Sequence, residues 1–237
     1  KIHKLIFSAD GKFIVSSAYD KMIKIWDATN GQIISEKDVS TPEDLFIKSI
    51  AYNKEGNKLL VCNADTKLTL YDAQSLKQLQ TIKNDTISFS TASYSSDGKK
   101  IVAAGASGQF YIMDAVTWKV EKYFKTQDRN EQFASMDILK FSNDDKRILA
   151  ISGIVGLGKM YDVQSCKVIY KLNGTSTAVS SAKFSPSSGL FVAAYDDMNA
   201  KIWSLNSGRL VGSLRGHTSL MQCVNFSNDA SYVVTSS

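Results

Sequence analysis

The chain has 237 residues, of which 43% are apolar and 22% charged, so there is enough apolar material for a globular core. Its net charge of +5 arises from 28 basic and 23 acidic residues that are spread along the sequence. A nucleic-acid-binding protein normally carries a clustered basic stripe with interleaved aromatic residues, so direct nucleic-acid binding is not expected. No apolar run approaches the length of a membrane span.

Two sequence markers recur along the chain and indicate tandem repeats. The first is an aromatic residue followed by serine or asparagine, which returns every 42 to 47 residues, at Phe7, Tyr52, Tyr94, Phe141, Phe184 and Phe226. The second marker keeps nearly the same interval and lies later in each repeat, at Trp26, Tyr71, Met113, Tyr161 and Trp203. Repeats of about 40 to 50 residues made of short segments are typical of β-propeller blades.

The first repeat predicts how each unit folds. Lys1 to Ser8, Phe13 to Ala18, Met22 to Asp27 and Gln32 to Glu36 have strand-like patterns, and turn residues separate them. In the first turn Asp10 can accept hydrogen bonds from the backbone ahead of it, and the glycine that follows can adopt a positive φ. The pattern predicts a four-stranded antiparallel meander, which must stack on its neighbours to bury its faces.

The same order of strands and turns recurs to the end of the chain. Residues 1–237 are therefore predicted to form a single all-β domain with five complete blades and half of a sixth. The approximate bounds of the blades are 1–36, 47–82, 89–124, 136–172, 179–214 and 220–237.

The repeated residues resemble the WD-repeat family of β-propellers. The resemblance covers essentially the whole chain and rests on aromatic-Ser-x-Asp-Gly-Lys, on Ile-Trp-Asp and on one Gly-His pair that ends at His217. In that family a histidine, a hydroxyl residue, a turn aspartate and a tryptophan lock each blade through hydrogen bonds. By position, the resemblance implies a hydroxyl from Ser16 or Ser17 and blade-locking roles for Asp20, Trp26, Asp65, Asp197, Trp203 and His217.

The middle repeats depart from the family pattern. Tyr71 replaces the tryptophan of the second blade, and Ser107 or the glycine-rich Gly153 to Gly158 falls where the next turn aspartates are expected. We therefore expect the middle blades to be held by packing more than by polar networks. Because the family most often closes with seven blades, the chain is interpreted as a fragment of a seven-bladed ring, completed by missing parts of its own chain or by a neighbour.

No catalytic, cofactor or metal site is predicted. Gly153 to Lys159 has the spacing of a phosphate-binding loop, but Met160 follows the lysine and a strand is expected where such a loop needs a helix. The two histidines, His3 and His217, belong to no Ser-His-Asp or Cys-His arrangement. The three cysteines are predicted to lie in strands, at no metal-ligand spacing, as small buried apolar residues: Cys62, Cys166 and Cys223.

Four residues are predicted to contact protein partners because they fall in loops on one face of the blades. They are Tyr19, Phe46, Asp196 and Leu220. Exposed aromatic and leucine side chains on such a rim are suitable anchors for a partner. Two longer connections, Glu36–Lys48 and Lys125–Ser135, are either further binding loops or tolerated excursions.

These features favour a non-enzymatic scaffold that binds other proteins in an intracellular complex, since no secretory signal is visible. One alternative is a receptor that reads a modified peptide, such as a phosphorylated one, on the top face. It would need several arginines converging at the partner-binding positions of the repeat alignment, and none of the four arginines falls on those positions. A structural subunit of an RNA-associated, ciliary or cytoskeletal assembly is a further alternative.

Overall fold

A computed structural model of the protein describes residues 2–40, 47–63, 67–82, 89–105, 108–125, 136–153, 156–172, 178–187 and 189–237. The described residues form strands and turns, and none of them lies in an α-helix, so no described helix could cross a membrane. The chain divides into two compact units, Lys1–Thr126 and Gln127–Ser237.

The first unit contains three four-stranded antiparallel sheets whose strands follow one another in chain order. The first sheet consists of β1 (Ile2–Phe7), β2 (Phe13–Ala18), β3 (Met22–Asp27) and β4 (Ile33–Asp38). The second consists of β5 (Ile47–Tyr52), β6 (Lys58–Asn63), β7 (Leu68–Asp72) and β8 (Gln78–Ile82). The third consists of β9 (Phe89–Tyr94), β10 (Lys100–Gly105), β11 (Gln109–Asp114) and β12 (Val120–Lys125).

The second unit contains two four-stranded antiparallel sheets and one two-stranded sheet. The fourth sheet consists of β13 (Ile138–Phe141), β14 (Arg147–Ile151), β15 (Gly158–Asp162) and β16 (Val168–Leu172). The fifth consists of β17 (Val179–Phe184), β18 (Leu190–Tyr195), β19 (Ala200–Ser204) and β20 (Leu210–Leu214). The sixth pairs β21 (Cys223–Phe226) with β22 (Val233–Ser236). The all-β prediction of five complete blades and half of a sixth is confirmed, whereas the assignment of one domain stays a prediction.

The first sequence marker closes the hairpin between the first two strands of a blade. Ser8 Oγ donates to Asp10 Oδ1 at 2.6 Å and accepts the backbone N–H of Phe13 at 3.0 Å. Ser95, Ser142 and Ser227 form the same pair of hydrogen bonds in their own turns. In the second sheet, Asn53 replaces the serine and its Oδ1 accepts the N–H of Lys58 at 2.8 Å. In these five turns, the polar residue after the aromatic therefore satisfies a backbone group that the turn would otherwise leave unpaired.

The residue that follows each member of the second marker caps the turn between the third and fourth strands. These residues are Asp27, Asp72, Asp114, Asp162 and Ser204. Asp27 Oδ1 accepts the Thr29 N–H at 2.7 Å, and Asp72, Asp114 and Asp162 accept equivalent N–H and hydroxyl groups from their turns. In the fifth sheet Ser204 takes this place, and its Oγ accepts the Ser207 N–H at a longer 3.3 Å. An ionised carboxylate is a stronger acceptor than a hydroxyl, so this turn is held less firmly than the others.

Each sheet within a unit packs on the next one through alternating side chains. In β6, Leu59 and Val61 belong to the core shared with the first sheet, whereas Leu60 and Cys62 belong to the core shared with the third. Successive side chains of a strand point to opposite faces, so this continuous apolar run is buried on both sides. In the second unit the fourth, fifth and sixth sheets share cores in the same way.

The prediction that all three cysteines lie buried in strands was wrong for two of them. Cys62 is buried in β6, but Cys166 is half-buried in the turn after β15 with a φ of 60°, and Cys223 is exposed at the start of β21. Cys166 occupies the turn position that glycine holds in the first and fifth sheets, where Gly31 and Gly208 have φ values of 72° and 66°. The geometry of this turn, and not strand packing, therefore sets the environment of Cys166.

Candidate functional site

The first blade brings together only part of the predicted blade-locking set. Trp26 Nε1 donates a hydrogen bond to Ser16 Oγ at 2.8 Å, which identifies the hydroxyl partner among the two candidates. Asp20 lies exposed in the turn between β2 and β3, where its Oδ1 accepts the backbone N–H of Met22 at 3.0 Å. The aspartate therefore stabilises its own turn, while the serine and the indole join two neighbouring strands.

The fifth blade has the tryptophan without its hydroxyl. The Trp203 side chain is 2% exposed, and its Nε1 has no hydrogen-bond partner among the described residues. The register explains the difference, because Ala193 pairs with Lys201 in the position where Ser16 pairs with Lys24. The ring of Trp203 instead stacks with Phe191 at a centroid distance of 6.3 Å.

Asp197 lies in the turn between β18 and β19 and forms an ion pair. Lys201 Nζ donates to Asp197 Oδ2 at 2.7 Å, and the backbone N–H of Asn199 donates to Oδ1 at 3.1 Å. Partial burial of the carboxyl raises its pKa, but the lysine and asparagine donors outweigh this effect and leave the pKa of Asp197 lowered. The remaining lock position of the second blade, Asp65, lies outside the described residues.

His217 connects the segment after β20 to the last described strand. Its Nδ1 lies 2.8 Å from Ser237 Oγ, and its Nε2 lies 2.7 Å from Thr235 Oγ1. Both ring nitrogens are therefore bound to hydroxyls, each of which can donate or accept a proton. This arrangement suits a structural contact, because neither nitrogen is left to act on a substrate.

The predicted partner-binding residues have different environments. Tyr19 in the first unit and Leu220 in the second are each 51% exposed, so both side chains can be contacted from solvent. Asp196 is half-buried, and its backbone N–H donates to the carbonyl of Ala178 at 3.0 Å. Residues 41–46 and 126–135 of the two long connections lie outside the described residues, and Phe46 is among them.

Met198 is an exposed residue that the sequence did not single out. It follows Asp196 and Asp197 in the same turn, is 42% exposed and has a φ of 64°. The signal was present in the sequence, because an apolar residue between Asp197 and Asn199 interrupts a polar turn. Met198 therefore places a flexible apolar side chain in contact with solvent beside Asp197.

A contact between the fourth and fifth sheets also escaped the sequence. Arg147 Nη1 and Tyr170 Oη both donate to the carbonyl oxygen of Leu205 at 2.8 Å. A nearby cavity of about 150 Å³ contains one carboxylate, Asp144, which already accepts a hydrogen bond from Ser142 Oγ at 2.6 Å. The side chains of Asp144 and Asn143 at this cavity are thus engaged in hydrogen bonds within the protein, and the described residues contain no cluster of His, Cys, Asp or Glu suited to a metal ion.

The phosphate-loop spacing has no phosphate-binding context. Gly158 and Lys159 belong to β15, and the Lys159 side chain is buried in that strand. A phosphate loop presents its backbone N–H groups at the start of a helix, and here a strand follows.

Comparison with known proteins gives one family match and several distant relatives. The family model "WD domain, G-beta repeat" matches residues 1–27, 166–204 and 208–237. The chain is 25% identical over 225 residues to the periodic tryptophan protein 2 homolog of Schizosaccharomyces pombe, covering 81% of this chain and 26% of that protein. It is 23% identical over 223 residues to the serine-threonine kinase receptor-associated protein of Gallus gallus, covering 93% of this chain and 59% of that protein.

A third relative is the human U3 small nucleolar RNA-associated protein 18 homolog, which is 24% identical over 209 residues. That match covers 85% of this chain and 36% of the relative. The chain thus spans less than two thirds of the length of each of these three proteins.

Proposed function

Because the chain belongs to the WD-repeat β-propeller family, we propose that it is a non-catalytic scaffold that binds other proteins within an intracellular complex. The family match and the five four-stranded sheets support this proposal. Two of the relatives carry names that place them in association with other molecules: a kinase receptor and a small nucleolar RNA. We infer the intracellular location from these relatives.

The proposal rests on a contrast between two kinds of side chain. Carboxylates in the turns are already engaged in hydrogen bonds within the protein, whereas some apolar side chains in the loops are exposed to solvent. The turn carboxylates of Asp27, Asp72 and Asp114 accept hydrogen bonds from their own turns. Tyr19 and Leu220, in contrast, expose half of their side chains at loop positions. Partly exposed tyrosine and leucine side chains in the loops that join the strands can bury apolar area when a partner binds.

The proposal can be tested by affinity purification of the whole protein from its own cells, followed by binding measurements with each recovered partner. We expect Leu220→Glu or Tyr19→Glu to lower the binding affinity for at least one stable partner by about tenfold or more, because a charge would replace an apolar anchor. Val211→Glu and Val116→Glu are matched controls. Both valines are exposed, but Val211 lies in β20 and Val116 lies in the turn between β11 and β12, outside the two loops under test. Equal losses in all four variants, or turnover of a small molecule with no stable partner, would contradict the proposal.

A second candidate is a structural subunit of an RNA-associated assembly. The human relative named for a small nucleolar RNA and the net charge of +5 favour it. Direct RNA binding would require an affinity that falls steeply with salt, because phosphate contacts release counterions. If the protein bound RNA with such a salt slope in the absence of other proteins, this candidate would replace the protein scaffold.

A further inference from the structure

The connection between β20 and β21 presents an exposed stretch of chain. Residues 215–222 contain no regular secondary structure, and Arg215, Thr218, Ser219 and Leu220 are exposed. The described contacts that hold this stretch to the last sheet are the His217 hydrogen bonds to Ser237 and Thr235, the backbone hydrogen bond from Gln222 N–H to the Ser236 carbonyl at 2.8 Å, and the burial of Met221. The stretch is therefore accessible to another protein over several consecutive residues.

Two functional groups in this stretch are not engaged by any other described residue. Neither the Thr218 hydroxyl nor the Arg215 guanidinium forms a hydrogen bond or ion pair with the described part of the chain. The turn hydroxyls of Thr29, Ser75 and Thr117, in contrast, all donate to aspartate side chains. Thr218 and Arg215 are thus available to an external protein without breaking a contact of their own.

The spacing of these two groups matches a known type of enzyme recognition. Of the four arginines in the sequence, Arg215 is the only one with a serine or threonine at the third following position. Many protein kinases bind an arginine before the acceptor through carboxylates, which form paired, charge-assisted hydrogen bonds with a guanidinium. Arg215 would supply this charge and Thr218 the acceptor hydroxyl.

We propose that Thr218 is a phosphorylation site for a protein kinase that recognises an arginine three residues before its acceptor. The Thr218 oxygen attacks the γ-phosphorus of ATP, forming a new O–P bond while the bond from that phosphorus to the β–γ bridging oxygen breaks. ADP leaves, and the hydroxyl proton passes to the catalytic aspartate of the kinase. The product carries a phosphate with a charge of about −1.5 to −2 at neutral pH.

The kinase must draw the stretch away from the surface of the sheet to bind it in an extended form. The two hydrogen bonds of His217, the backbone hydrogen bond of Gln222 and the burial of Met221 oppose this movement, so the kinase requires a local opening of the segment. Local opening of such an exposed segment costs much less than global unfolding. The folded protein is therefore a competent substrate.

Phosphorylation would place a large negative charge two residues from the exposed Leu220. A partner that buries Leu220 in an apolar contact would have to desolvate that charge, so its affinity would fall. This regulatory consequence rests on the proposed scaffold function, whereas the modification site itself does not.

The test uses the folded 237-residue chain, ATP and the catalytic domain of a calmodulin-dependent protein kinase, which selects arginine at this spacing. Mass spectrometry should locate the phosphate on Thr218, and Arg215→Gln should lower kcat/KM by about tenfold or more, as expected for loss of a charge-assisted hydrogen bond. Ser219→Ala and Arg209→Gln should leave the rate unchanged. Thr218→Val should remove the phosphate, and Thr218→Ser should retain it, which separates loss of the acceptor from misfolding.

An unmodified Thr218 with phosphate elsewhere, or a rate that does not respond to Arg215→Gln, would overturn the proposed site. A further measurement compares the phosphorylated and unmodified proteins for binding of a partner that depends on Leu220. If Thr218 is phosphorylated and that affinity is unchanged, the modification site stands and its role at Leu220 is wrong.

Discussion

Trp26 and Trp203 hold the same position in their blades but differ in the hydrogen bonding of the indole N–H. Trp26 donates to Ser16, whereas Trp203 is buried beside Ala193 without an acceptor among the described residues. A buried donor without a partner costs about 1 to 3 kcal/mol of stability. Packing against Phe191 offsets this cost in the fifth blade.

Exchanging the two residues beside these indoles tests this account. We expect Ser16→Ala to lower the free energy of unfolding by about 1 kcal/mol and Ala193→Ser to slow hydrogen exchange of the Trp203 indole N–H. Urea unfolding and the exchange of the two indole protons measure these effects. Ser17 is the matched control because its buried Oγ has no hydrogen-bond partner among the described residues, so Ser17→Ala should not destabilise. Destabilisation by Ala193→Ser with no change in indole exchange would contradict the account.

At the scale of the element, the hairpin between the first two strands is held in each of the first four sheets by one buried polar side chain, from Ser8, Asn53, Ser95 or Ser142. Ser142 is fully buried, and its Oγ joins Asp144 and the Arg147 backbone N–H at 2.6 and 3.0 Å. Asn53 performs the same task in the second sheet with its amide group. The turn therefore requires a short side chain that can both donate and accept, not serine in particular.

Ser142→Ala should destabilise the second unit by about 1 to 3 kcal/mol, because the Arg147 N–H would be left buried without this acceptor. Ser142→Asn should recover a large part of that loss, as the natural Asn53 indicates. The measurement is the urea midpoint, with amide exchange at Arg147 as a local probe. Equal destabilisation by alanine and asparagine would show that side-chain volume, not hydrogen bonding, controls the turn.

The turn between the third and fourth strands imposes a left-handed backbone on one residue. Gly31 and Gly208 adopt it readily, whereas Cys166 does so with a φ of 60°. A residue with a Cβ pays about 1 to 2 kcal/mol in this conformation. Cys166→Gly should therefore raise the thermal midpoint of the protein, and Gly31→Ala, where the space around the Cβ is open, should lower it through backbone strain alone. A lower midpoint for Cys166→Gly would mean that lost side-chain contacts outweigh the released strain.

At the scale of the whole molecule, turn carboxylates in both units link stability to pH. Hydrogen bonds from serine or threonine hydroxyls and from backbone N–H groups lower the pKa of five turn carboxyls below 3.8, the ordinary value for aspartate. These carboxyls belong to Asp10, Asp27, Asp72, Asp97 and Asp114. The Ser227 hydroxyl and the N–H and hydroxyl of Ser231 lower the pKa of Asp229 to about 2. Because the folded-state pKa values lie below the unfolded value, their stabilisation is complete above 3.8 and is lost as pH falls through the folded values.

We therefore expect the urea midpoint to be steady near neutral pH and to fall between pH 3.8 and about 2. Added salt should change this fall little, since hydrogen bonds within each turn and not distant charges cause the shifts. Asp229→Asn is the control. Its amide does not titrate, so the urea midpoint of this variant should fall less steeply with decreasing pH than that of the unchanged protein. A midpoint that falls already at pH 5 to 6 would contradict this assignment, since it would point to other titrating groups.

The sequence by itself determined the repeat, the order of strands and the turns. It could do so because these features depend on contacts between residues close in the chain, such as Ser8 with Asp10 and Asp27 with Thr29, and on the alternation of side chains along a strand. The strands predicted at Phe13–Ala18 and Met22–Asp27 have the same bounds in the structure. The binding roles of Tyr19, Phe46, Asp196 and Leu220 stay predictions.

Only the tertiary structure decided which polar groups find partners and which apolar ones stay exposed. It joined Ser49 Oγ to the carbonyl of Ala92 and Arg147 to that of Leu205, left the Trp203 indole without an acceptor among the described residues, and exposed Met198. These outcomes depend on sheets that pack side by side although their residues lie 43 to 58 positions apart in the sequence. Local patterns carry no information about the register of such distant surfaces, which is set by the fit between whole sheets.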